Sequence, residues 1–224
     1  MDRRLSRRLW RRHLPFALMT IAVVWLFYVT RPYPDVITRL SFATAWPALV
    51  LLTVTLAIGP WRVLTKKPPV LSVDLRRDIG IWAGIVGVLH AGVGQCVHLR
   101  GRPWLYYIYE KTPAHLMPLR HDIFGFANFT GLFAALILLA LLATSNDALL
   151  RKLGLPGWKS LQRWNYACFG LTLCHTFGYL LGIESLQAAA IITASLCMAI
   201  AAWLQWEGWR RRVWLLQHHA ADRR

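Results

Sequence analysis

The chain has 224 residues, a net charge of +16, 56% hydrophobic residues and only 16% charged ones. Soluble domains carry about 25% charged residues, and one of this size cannot bury several apolar blocks of about 20 residues, so an ordinary soluble globule is excluded. In a soluble protein such a charge would point to nucleic acid; here the basic residues fall between apolar blocks, where topogenic charge facing a cytoplasm and anionic lipid accounts for them, and no nucleic-acid partner is expected.

The N-terminus carries Arg3, Arg4, Arg7, Arg8, Arg11 and Arg12 and resembles the basic region of a signal peptide. An apolar block over 14–29 follows, then Arg31-Pro32-Tyr33-Pro34 with no small-residue cleavage site, so the block reads as a retained first helix. Five further blocks cover 43–63, 78–97, 122–144, 161–181 and 186–206. Each approaches the roughly 20 residues that cross a bilayer at 1.5 Å per residue, and only helices satisfy their own backbone in lipid at this length. The expected fold is all-α: a polytopic membrane protein, a bundle of six transmembrane helices over 14–206, with basic cytoplasmic tails at 1–13 and 207–224.

Orientation follows from the connections. Arg62, Lys66, Lys67, Arg76 and Arg77 sit in the second, Arg151, Lys152, Lys159 and Arg163 in the fourth, and Arg210, Arg211, Arg212, Arg223 and Arg224 in the C-terminal tail. The opposite side holds only Arg31, Arg39, Arg100, Arg102, Lys111 and Arg120. Both termini therefore belong inside. Trp61, Trp158, Trp203 and Trp206 are expected in the inner interfacial belt, and Trp104, Tyr106, Tyr107 and Tyr109 outside. Cys96, Cys168, Cys174 and Cys197 show no C-x-x-C spacing and read as small buried apolar residues. No phosphate-binding loop or dinucleotide fingerprint is present.

Ionisable groups at membrane depth are costly and mark function. His13, His218 and His219 lie in the basic tails and read as solvated; His98, His115 and His121 lie in or beside the long outer connection. Only His90 and His175 are well inside predicted spans. His90 is twelve residues past Asp78 and His175 thirteen past Gln162, on helices starting from the same side. Both therefore lie about 18–20 Å from the inner edge. Two such histidines can face each other across a bundle core, where cofactors are held between helices. As residues alone they fit equally the axial ligands of a haem and two interhelical hydrogen bonds. Gly84, Gly87, Ala91 and Gly94 around His90, and Gly170 and Gly178 around His175, suit either a flat macrocycle or close helix packing.

The stretches Leu75-Arg76-Arg77-Asp78-Ile79-Gly80 reaching His90, and Thr144-Ser145 with Arg151-Lys152-Leu153-Gly154, Trp158, Tyr166 and His175, resemble the ferric-reductase-like transmembrane family. Within it they look closest to the haem-binding membrane subunits of the bacterial periplasmic methionine sulfoxide reductase system. The resemblance spans roughly residues 40–205. It implies one haem b ligated by His90 and His175 in a bacterial inner-membrane, multi-pass protein, an electron-transfer subunit rather than a complete enzyme. Its donor would be quinone or a flavin reductase, and its acceptor a periplasmic molybdopterin reductase subunit.

The family usually carries another histidine thirteen residues before the fifth-span ligand; here that position is Gln162, and the corresponding position before His90 is Arg77. A second bis-histidine haem is therefore not expected. Arg76 and Arg77 suit haem propionates or the phosphate of an FMN, or serve only as inner-side anchors. The outer connection, 99–120, is longer and more aromatic than the family pattern, which puts the usual partner in doubt. In the electron-transfer reading the outer cations Arg100, Arg102 and Arg120 should raise the haem potential. Two alternatives stand beside this reading. One is a stand-alone transmembrane ferric or cupric reductase gathering metal at His98, His115 and His121. The other is a non-redox membrane protein.

Overall fold

A computed structural model describes residues 8–30, 33–65, 73–110, 117–183 and 188–221. Leu186, His115 and the basic residues Arg3, Arg4, Arg7, Arg31, Lys66, Lys67, Lys111, Arg223 and Arg224 lie outside them. The fold is all-α. The helices are α1 (Leu14–Thr30), α2 (Val36–Leu64), α3 (Val73–Gly94), α4 (Ile123–Ala143), α5 (Asp147–Gln162), α6 (Trp164–Gly182) and α7 (Ala188–Ala221). A π-helical turn, Leu9–His13, leads into α1.

Local chemistry sets several boundaries. Asp35 caps α2 by accepting the Thr38 N–H at 2.8 Å, and Arg39 reaches back to the Tyr33 carbonyl at 2.6 Å. The helix therefore begins a full two turns before the apolar block that marks it in the sequence. Asp122 caps α4 by accepting the Gly125 N–H at 2.7 Å, which places its start within a residue of the sequence expectation. Asn146 caps α5 through the Leu149 N–H at 2.8 Å. In α5 the helical path breaks at Gly154, whose φ of 65° lies in the left-handed region that glycine tolerates. The sequence treats this stretch as a simple basic connection; it is instead an amphipathic helix with Arg151, Lys152 and Lys159 exposed and Trp158 buried. That burial removes Trp158 from the expected interfacial belt. In α7 the helix does not stop at the end of its apolar block but continues to Ala221.

Side-chain contacts fix the direction of each long helix. At one end, Arg8, Arg12 and His13 meet the fully buried Asp78 at the start of α3. Arg77 donates to Asp147, just past α4, at 2.6 Å. Arg76 reaches the Thr55 carbonyl of α2 at 3.2 Å, and Gln205 of α7 the Leu56 carbonyl at 2.9 Å. Tyr166, at the start of α6, bonds Gln205 at 3.2 Å. Successive long helices thus run in alternate directions. His13 is not a solvated tail residue: its side chain is 19% exposed and lies 3.4 Å from Asp78.

Four helical stretches among the described residues are long and apolar enough to cross a membrane: Leu9–Thr30, Val36–Leu64, Ile123–Ala143 and Ala188–His218. Their outer faces carry exposed large apolar side chains such as Leu18, Ile21, Leu136, Ile192 and Ile200, as a lipid-facing surface requires. Two of the six long helices, α3 and α6, fall below that threshold. These carry the histidines: α3 packs on α2 and α4, and α6 on α4, with Trp164, Tyr166 and Leu181 left on its exposed face. The core between them is built from Trp46, Leu49, Leu52, Leu56, Ala83, Ala134, Cys168 and Phe169. Cys168 and Cys197 are buried as expected, whereas Cys96 and Cys174 are exposed.

The described residues of the connection between α3 and α4, 95–110 and 117–122, form a strap across one end of the bundle. It contains the short 3-10 turns Leu99–Gly101 and Pro103–Tyr106. An antiparallel bridge pairs Ile108 with Leu119, with Tyr109 N–H to Pro118 O at 2.7 Å and Arg120 N–H to Tyr107 O at 2.8 Å. Tyr106 is wholly buried rather than interfacial: its hydroxyl accepts the His98 N–H at 2.6 Å and donates to the Gly94 carbonyl at 3.1 Å. Arg120 latches the strap, donating to the Leu105 carbonyl at 2.9 Å and to Asp122 at 2.8 Å. Its guanidinium lies over Phe124, 4.9 Å from the ring centre.

Candidate functional site

His90 and His175 meet. Their ring centres are 6.2 Å apart, with the rings inclined at 72°. His90 Nδ1 lies 3.0 Å from the Ser41 carbonyl oxygen of α2, and His175 Nδ1 lies 2.8 Å from the Ala127 carbonyl oxygen of α4. A carbonyl only accepts, so each Nδ1 carries the proton and each Nε2 keeps its lone pair. This is the arrangement that orients metal-ligating imidazoles, a ring N–H tied to a fixed acceptor with the other nitrogen presented.

The close approach depends on small residues. A Cβ on Gly131 of α4 would lie 2.5 Å from His175 Nδ1. One on Gly178 would lie 2.9 Å from the Ala127 Cβ, and one on Gly87 would collide with Leu138. Gly84 likewise faces Leu142. These glycines serve helix packing, whereas Gly170 has nothing within 4 Å. The sequence does not single out Gly131, because its role depends on where α4 crosses α6.

A cavity of about 330 Å3 surrounds the pair. Toward the centre of the bundle its walls are Leu49, Leu52, Ala83, Ala134, Ala135 and Leu138; under the strap they are Gln95, His98, Tyr107, Asn128 and Tyr179. The Tyr179 ring centre is 5.0 Å from that of His175, and its hydroxyl donates to Asn128 Oδ1 at 3.0 Å. His98 stacks on the far side of Tyr179, at 6.2 Å and 19°. Asn128 and Tyr179 are polar residues inside apolar helices, a signal that a search confined to ionisable groups passes over.

The chain resembles curated proteins named protein-methionine-sulfoxide reductase heme-binding subunit MsrQ. It is 34% identical to that of Bordetella pertussis over 169 residues, 73% of this chain and 72% of the relative. The chain belongs to the MsrQ family. The MsrQ of Polaromonas naphthalenivorans is 27% identical over 222 residues, 93% of each chain, and that of Cronobacter sakazakii 29% over 187 residues, 82% and 84% of the two chains. No family model and no solved structure matches. The MsrQ relatives carry the resemblance seen in the sequence across most of this chain's length.

The remaining charged and polar residues singled out in the sequence divide between the cavity and the ends of this MsrQ-family chain. Arg76, Arg77 and Gln162 do not line the cavity. Arg77 is buried and paired with Asp147; Arg76 is spent on the Thr55 carbonyl; Gln162 accepts from Asn165 at 3.2 Å. Of the outer histidines, His98 faces the cavity, while His121 is exposed beside Tyr109. No group of three metal-ligating side chains occurs among the described residues. Arg102 pairs with Glu110 at 3.0 Å and Arg120 with Asp122, so these outer cations have carboxylate partners at hand.

Proposed function

We propose that this chain holds one b-type haem between His90 and His175 and passes electrons through it to the catalytic subunit of a methionine sulfoxide reductase on the outer side of a bacterial inner membrane. The observation that carries this reading is the spacing of the two imidazoles. A metal ion bonds an imidazole nitrogen at about 2 Å, with the ring centre about 1 Å behind, so two rings sharing one ion stand about 6 Å apart. The rings are 6.2 Å apart with both Nδ1 atoms already tied to carbonyls. The apolar inner walls and the small residues around the pair suit a flat macrocycle.

In this reading His90 and His175 each give an Nε2 lone pair to the iron, and the Ser41 and Ala127 carbonyls hold the rings and raise their basicity. Haem, when bound, supplies a one-electron centre whose potential the ligands and burial set. The surrounding helices exclude water and keep that centre rigid. Support for a single haem comes from the inner end, where Arg77 and Gln162 occupy the positions a second imidazole pair would need and are engaged with Asp147 and Asn165. The alternating helix directions favour six crossings with both termini in the cytoplasm, α3 and α6 being the less apolar pair. The donor is read as quinone or a flavin reductase, with FMN as a further candidate cofactor.

The test is electron delivery. Purified protein, reduced and mixed with the catalytic subunit plus a methionine sulfoxide peptide, should reoxidise at a rate that depends on the subunit's concentration. Reoxidation indifferent to that subunit would reject the assigned acceptor.

A further inference from the structure

The cavity around the histidines is unevenly polar. Its inner walls are aliphatic, and the Thr172 hydroxyl at its edge is spent on the Cys168 carbonyl at 2.8 Å. The opposite end, under the strap, gathers Gln95, His98 and Tyr107. The Tyr107 hydroxyl is shielded from solvent and makes no well-formed hydrogen bond among the described residues, although the Gln95 side chain lies beside it. Shielded hydroxyls are nearly always paired, so a donor left open at a cavity wall marks a place for an acceptor. The His98 ring is held by stacking on Tyr179 and by its edge against Phe124, while its backbone N–H is spent on Tyr106. Its ring is thus positioned while its nitrogens make no hydrogen bond among the described residues.

A b-type haem has the same asymmetry: apolar over most of its rim, with two carboxylates on one edge. Building on the His90–His175 reading, we propose that Tyr107, Gln95 and His98 form the carboxylate-binding subsite of this cavity, so that the propionate edge faces the outer strap and not the inner arginines. Arg76 and Arg77 are the residues whose chemistry first suggests propionate binding. They lie at the other end of the bundle, engaged with Thr55 and Asp147, and line no part of the cavity. Neutral donors on the strap and on the turn after α3 take that task instead, and the haem's polar edge comes to lie nearest the outer surface.

The experiment titrates the full-length protein with haem and with haem dimethyl ester, in which both carboxylates are capped, and reads affinity and spectrum separately. The expected result is the same bis-imidazole spectrum from both, with the free acid bound about tenfold more tightly, the scale of a charge-assisted hydrogen bond. Tyr107→Phe and Gln95→Leu should shrink that preference severalfold while keeping the spectrum, and Arg76→Gln should leave it unchanged. Because each variant is compared with both porphyrins, differences in their partition into detergent cancel. A preference for the free acid that survives both strap substitutions, or one erased by Arg76→Gln, overturns the subsite while leaving the histidine pair intact. Absence of the bis-imidazole spectrum with either porphyrin overturns the pair itself, and the subsite with it.

Discussion

At the residue scale, the site depends on acceptors and gaps more than on the two histidines themselves. His90 and His175 are legible because they are the only histidines deep in apolar blocks, at equal distance from the same edge. The Ser41 and Ala127 carbonyls that fix their tautomers are backbone groups, which no residue pattern can announce. Gly131 is similar: nothing in the sequence separates it from other helical glycines, yet a Cβ there would lie 2.5 Å from His175 Nδ1. Gly131→Ala should therefore displace the His175 ring and change or abolish the haem spectrum. Gly170→Ala, with nothing within 4 Å, should leave the spectrum unchanged and stabilise the helix by about 0.5–1 kcal/mol. Absorption spectra and thermal melts of the two variants separate these outcomes.

The elements were legible to different degrees. Hydropathy places α1, α2, α4 and α7 because their lipid-facing surfaces are uniformly apolar. It bounds α3 poorly, because the helix carries Arg76, Arg77 and Asp78 in its first turns, charges whose partners are distant in sequence. It misses α5, whose pattern is amphipathic and interrupted by Gly154. The anchoring of the N-terminal segment was also hidden. Arg8, Arg12 and His13 converge on Asp78, which is wholly buried. Asp78 is the carboxylate these three cations share, and Arg8 keeps a second one, Asp147, at 3.8 Å, so removing the Asp78 charge weakens the cluster without dispersing it. Asp78→Asn should thus loosen the start of α1, seen as faster proteolysis near residues 8–13 with the haem spectrum retained.

The strap is latched through Asp122, and its pH dependence has a definite sign. Partial burial opposes ionisation, but the Arg120 hydrogen bond, the Gly125 N–H and the Arg120 charge outweigh it, so the carboxyl titrates below its usual range. A lowered folded value means the fold prefers the carboxylate. Its contribution is complete above the unfolded value near 4 and is lost as pH falls through the lower folded value. Hydrogen exchange at residues 117–122, corrected for intrinsic rates, should rise over that acidic window in the native protein. In Asp122→Asn it should be high throughout and nearly independent of pH.

For the whole molecule, composition carried the all-α class and the membrane-spanning character of four helices. The basic residues alternate between connections, and the contacts at each end of the bundle agree with that alternation: Arg8, Asp78, Asp147, Tyr166 and Gln205 gather at one end, Asn128, His98 and Tyr179 at the other. Reporter fusions at residues 1 and 224 should both read as cytoplasmic, and one inserted at 110–117 as external; opposite readings at the two termini would require an odd number of crossings. The strap's form, by contrast, rests on a bridge and on one cation, Arg120, over two aromatic rings, interactions between residues without periodicity.

The central claim is one haem held by one pair of histidines, and haem content with its spectrum in purified protein measures it most directly. The expected result is one low-spin b-type haem per chain in the native protein, with content lost in both His90→Ala and His175→Ala. Undiminished haem with an unchanged low-spin spectrum in either variant would contradict it.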